Sequence, residues 1–61
     1  MRIKYLKKGE FFKIKDSEKA DVWVRDEYVR ELKKYSTYKF NDINHEKLLQ
    51  GDREVYVGFT F

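Results

Sequence analysis

"VWVRDEYVRELKKYSTYKF" (residues 22–40) decides the fold, because it can be taken as one amphipathic helix or as two strands joined by a turn. Tyr28, Leu32 and Tyr35 recur at helical spacing, which keeps a helix over "DEYVRELKKY" in play. The flanks argue the other way. "VWVRDEYV" and "YSTYKF" are rich in β-branched and aromatic residues, with Val22 and Val24 alternating against Trp23 and Arg25, the period-2 pattern of a strand. A hairpin is therefore expected, with "RELKK" as a connection of ordinary length, although no glycine stands at its tip.

Working outward, "GEFFKIKD" sets Phe12 and Ile14 against Lys13 and Lys15, which predicts a strand at about 11–15. "DSEKAD" carries no bulky apolar residue and forms the connecting loop. Beyond the hairpin, "NDIN" supplies turn-forming residues and predicts a corner, and "HEKLLQ" is a short strand or one helical turn. After Gly51–Asp52, the segment "EVYVGFTF" would place Val55, Val57, Phe59 and Phe61 on one face, making a final strand that pairs centrally.

Five short strands with tight connections point to a mostly β chain, a small antiparallel five-stranded SH3-like barrel, because closure protects the sheet edges. The alternative is a four-stranded meander with one short helix. A chain of 61 residues has room for one domain, residues 1–61. A domain of this size buries only about 60% of its unfolded surface. Without cysteine there is no disulfide or thiolate zinc site to staple it. Stability then rests on packing or self-association, for which five Phe, five Tyr and one Trp supply large apolar areas.

The charged fraction is 41%, with 14 bases interspersed among 11 acids, a net charge of +3 and a pI near 9.2. That balance permits mild attraction to anions but offers no continuous basic track, so only weak, non-specific binding to DNA is expected. No apolar run approaches the roughly 20 residues of a membrane span, and "MRIKYLKKGE" lacks a signal-peptide core. The expected compartment is the cytoplasm.

"LKKGEFFKI", "VWVRDEY", "KKYSTYKFNDINHEKLLQGD" and "EVYVGFTF" together resemble a group of small uncharacterised proteins encoded by bacteriophages and prophages. The opening "LKKGEFF" is also similar to the start of many SH3-like barrels of phage and bacterial proteins. The resemblance covers nearly the whole chain. It implies a bacterial host cytoplasm and an accessory role during infection, and it carries over no catalytic residue.

A lone His45 between Asp42 and Glu46 has the residue type of a general base, since imidazole titrates near neutrality. It lacks a nucleophile, because Ser17 and Ser36 sit in no recognisable nucleophile motif. One histidine among carboxylates also lacks the spaced ligand cluster of a zinc or iron site. Asp42 and Asn44 are accounted for by capping a turn, and Gly51–Asp52 by a turn needing positive φ or a local acceptor. Three isolated glycines build no phosphate cradle. No enzyme activity, metal or cofactor is expected.

The candidate binding residues are Lys13, Lys15, Trp23, Arg25, Tyr35 and Lys39, which a strand pattern could place on one face, together with Tyr28. Tyr, Trp and Arg are enriched at protein-interface hot spots, and a sheet edge can pair with a partner strand. The leading expectation is therefore an accessory binding module that docks on and inhibits or modulates a host or phage protein, of counter-defence type. Aromatics among cations also suit nucleic acid, where bases stack and phosphates meet lysine. A third expectation is a small anionic ligand held between subunits.

Overall fold

The computed structural model describes residues 1–59. A 3₁₀ helix, Ile3–Tyr5, precedes four strands: β1 (Phe11–Lys13), β2 (Val22–Val29), β3 (Lys34–Lys39) and β4 (Asp42–Gln50). They form one antiparallel sheet in the order β1-β2-β3-β4. The chain is mostly β, as its alternation predicts, and the architecture is the open four-stranded meander rather than the five-stranded SH3-like barrel. The short helical turn sits at Ile3–Tyr5, whereas "DEYVRELKKY" is a hairpin and "HEKLLQ" is strand. No helix among the described residues is long and apolar enough to cross a membrane.

The hairpin between β2 and β3 closes without glycine because Lys33 itself takes a left-handed backbone (φ 54°). A turn precedes it, in which Leu32 N–H donates to Val29 O at 3.2 Å and Lys33 N–H to Arg30 O at 3.3 Å. Gly9, at φ 92°, turns the chain into β1, where a side chain would be strained. At Gly51 the glycine has a different reason from the one its sequence suggests. Its φ is not in the left-handed region, but an added Cβ would lie 3.3 Å from the Tyr35 ring and 3.5 Å from Lys4 Cβ. The turn itself forms, with Arg53 N–H donating to Gln50 O at 2.9 Å.

Two irregularities sort the side chains. Between Arg25 and Tyr28 the β2–β3 register shifts, so Tyr28 lies opposite Tyr35 on the same face as Arg25 and Thr37. A larger shift follows Tyr38↔Glu46, since Lys39 pairs with Asp42. The expected "NDIN" corner forms at its first residue, in the Phe40–Asn41 turn between β3 and β4, and its remainder is the irregular start of β4, where Asp42 Oδ1 accepts the Asn44 N–H at 3.3 Å.

One face of the sheet carries the core. Ile3, Leu6, Phe12, Trp23, Leu49 and Val55 form a buried cluster, with Ile14 and Tyr35 packed against it. Phe12 and Trp23 are register partners, which fixes both on the covered face. The cover comes from both ends of the chain: Ile3 N–H donates to Arg53 O at 3.0 Å, and Val55 N–H to Met1 O at 2.7 Å. Thr37, fully buried, is satisfied by donating from Oγ1 to Lys47 O at 2.9 Å.

The expected central final strand does not form. Residues 54–56 make isolated bridges, Glu54 with Arg2 and Tyr56 with Lys13. Val55 is fully buried, whereas Val57 on the same parity is exposed. Phe59 lies outside the core cluster, over the Lys13 ammonium at 4.8 Å, and Phe61 lies outside the described residues. The segment is apolar enough to be a strand, but after crossing the 3₁₀ helix it meets only the three-residue β1.

Candidate functional site

The seven sequence-predicted binding residues do not form one surface. Register places Trp23, Arg25, Tyr35 and Lys39 on the core face, with Tyr28 brought there by the bulge. Lys13, adjacent to Phe12, points to the opposite face. It is buried, and its Nζ donates to Ser17 O at 3.2 Å and Glu18 O at 3.3 Å. Lys15 lies beyond the end of β1, in the loop. Trp23 is 5% exposed, a core residue rather than an outward platform.

Three of the seven do assemble. The Arg25 guanidinium lies 4.5 Å over the Tyr35 ring, and Tyr35 tilts against Tyr28 at 4.8 Å. Arg25 also donates from Nη1 to Asp26 O at 2.7 Å, so its head is held locally. Lys39 is engaged as well, 3.2 Å from Asp21. The cations that a phosphate-tracking face would need are thus mostly committed inside the protein.

A second arrangement was not legible from sequence. At the Trp23 end of the core face, the loop after β1 and Lys47 of β4 flank an open depression of about 390 Å³, lined by Ile14, Lys15, Lys19, Asp21, Trp23 and Lys47 among others. Lys47 Nζ sits 5.3 Å over the Trp23 ring, and His45 meets that ring edge-on at 5.6 Å. His45 is therefore aromatic packing against the core tryptophan. Lys47 stands 24 residues from Trp23, and only the β2–β3–β4 register brings them together.

The third feature is apolar. On the reverse face, Phe11, Val24, Tyr38 and Glu46 line up across the four strands. Phe40 meets Phe11 edge-to-face at 5.4 Å. Phe11, Phe40 and Leu48 stay 41%, 49% and 46% exposed. Beside this face, β4 is the sheet's edge, and among the described residues no strand pairs with its outer side. The doublet "FF" gave the signal for an apolar residue on each face, but not which ring would be covered.

Elsewhere the electrostatics are those of solvated surface pairs. Lys8 hydrogen-bonds Glu27, which holds that carboxyl below its ordinary range and raises the lysine. The N-terminal ammonium, 2.7 Å from Glu54, lowers that carboxyl too. Among the described residues, no group of three or more His, Cys, Asp or Glu is placed to hold a metal ion. No family model, no curated protein and no solved structure matches this chain.

Proposed function

We propose that this protein is a non-catalytic binding module, an accessory protein of bacteriophage type that docks on a host or phage protein and modulates or inhibits it. The observation that carries this reading is the reverse face with Phe11, Phe40 and Leu48 each about half exposed beside the open edge of β4. Exposed apolar groups on a sheet face are stabilised by a partner that removes them from water. An unpaired edge offers that partner a row of backbone donors and acceptors. The fitting partner presents an extended segment to β4 and apolar side chains to Phe40 and Leu48.

Nucleic acid draws less support, because Lys13, Arg25 and Lys39 are engaged by the protein itself. The test uses affinity capture from phage-infected bacteria, followed by binding measurements with the purified partner. The double variant Phe40→Ser, Leu48→Ser is expected to keep a cooperative melt and to weaken the complex at least tenfold. Undiminished binding by that variant would exclude the reverse face as the docking surface.

A further inference from the structure

We propose that the depression over Trp23 binds a small organic phosphate of mononucleotide size. Its volume of about 390 Å³ falls within the range of roughly 300–1,000 Å³ typical of small-ligand sites. Three lysines converge on it, Lys15 and Lys19 from the loop and Lys47 from β4. None of the three has an ion-pair partner among the described residues. The one acid in the lining, Asp21, is instead turned to Lys39 at 3.2 Å.

Three lysine side chains lining one recess concentrate positive charge there, and their ammonium groups repel one another as they approach. A ligand with two or more negative charges relieves that repulsion and gains charge-assisted hydrogen bonds. Ile14, only partly buried, and the small part of Trp23 left uncovered give the recess an apolar wall, which a ring can contact edgewise while the phosphates meet the lysines. Lys47 is held there by the Trp23 ring beneath its ammonium. The loop is held as well, because the buried Lys13 donates to two of its carbonyls and Ser17 Oγ accepts the Lys19 N–H at 3.3 Å. Ordering before the ligand arrives lowers the entropy cost of binding.

The same geometry selects against a long polyanion. The lysines line one open recess rather than forming a track, and Lys13, Arg25 and Lys39 are committed elsewhere. A compact phosphate is the ligand that matches this charge to this volume.

ADP is the probe, titrated by calorimetry at about 50 mM salt, where surface charge is weakly screened. In parallel the indole N–H resonance of Trp23, the chain's one tryptophan, is followed by NMR. Expected are a Kd below about 1 mM, movement of the Trp23 resonance, weaker binding of pyrophosphate and none of adenosine. Lys19→Gln and Lys47→Gln should each weaken ADP about tenfold, the scale of one charge-assisted hydrogen bond, with the melting temperature unchanged. Lys7→Gln, outside the recess, should change it less than twofold. The assignment is overturned if ADP gives neither heat nor a Trp23 shift, if Lys19→Gln and Lys47→Gln bind like the unaltered protein, or if Lys7→Gln weakens binding equally. It is also overturned if pyrophosphate or adenosine binds as tightly as ADP, or if a short single-stranded oligonucleotide binds more than tenfold tighter.

Discussion

Phe11 and Phe12 are neighbours in sequence and opposites in the fold. Phe12 is fully buried against Trp23, Ile3 and Val55, while Phe11 leans on Phe40 and stays 41% exposed. Strand alternation guarantees that they face opposite ways, and nothing in the pair itself ranks them. The difference is made by the two chain ends, which pack over the Phe12 side of the sheet and are tied to each other through Ile3–Arg53 and Met1–Val55 backbone bonds. A four-stranded sheet in a short chain covers one face with its own ends, while the other buries Val24 but leaves Phe11, Phe40 and Leu48 about half exposed.

The largest effect that can break this contrast is at the doublet itself. Phe12→Ala should cost about 3–5 kcal/mol, the usual toll of emptying a buried phenylalanine site. A domain of this length has a total stability of only about 3–9 kcal/mol, so denaturant melts should show it largely or wholly unfolded. Phe11→Ala should lose about 1 kcal/mol, most of it the edge-to-face contact with Phe40. Equal losses would mean that the reverse face is as much a core as the covered one.

The C-terminal segment repeats the contrast at smaller scale. Val55→Ala should destabilise by about 2 kcal/mol, and Val57→Ala by less than about 0.5 kcal/mol, because Val57 is exposed. Comparable losses would restore the continuous apolar strand that its sequence predicts. Next comes the connection that lets β3 fold back on β2. Lys33→Gly should raise stability by about 0.5–1 kcal/mol by relieving a left-handed lysine (φ 54°), less the added freedom of the unfolded glycine. A loss on that substitution would show that the Lys33 side chain supports the hairpin.

The smallest effect belongs to the Lys8–Glu27 pair beside the β2 bulge, which is fully exposed. The Glu27 carboxyl lies below its ordinary 4.5 because Lys8 hydrogen-bonds it. Its contribution is therefore present above that value and lost as pH falls through the lowered one. Lys8 is raised above 10.5 by the same contact, so its share is present below that value and lost as pH rises beyond it. Glu27→Gln should flatten a shallow acid dependence of the melting temperature and lower the neutral value only by that same small amount, as expected for an exposed pair. A larger drop at neutral pH would assign the pair a role in holding the bulge.

The amino-acid sequence by itself determined the mostly β class and the β2–β3 hairpin, but it left the open four-stranded meander as the alternative to a five-stranded barrel. Alternating Val22–Arg25 and Tyr35–Phe40, and turn residues in "DSEKAD" and at Gly51–Asp52, are local signals set by backbone geometry a few residues apart. Tertiary structure alone decided which face is buried. Trp23 looked like an outward platform because lysines follow the same alternation, yet register with Phe12 turns it inward. It also decided the lysine set: Lys13, prominent in the pattern, is spent on Ser17 and Glu18 carbonyls, while Lys47 arrives over Trp23 through two strand pairings. The physical reason is that alternation fixes side chains relative to their own strand. Which side loses its water depends on where distant segments of the chain come to rest, and those contacts have no local sequence signature.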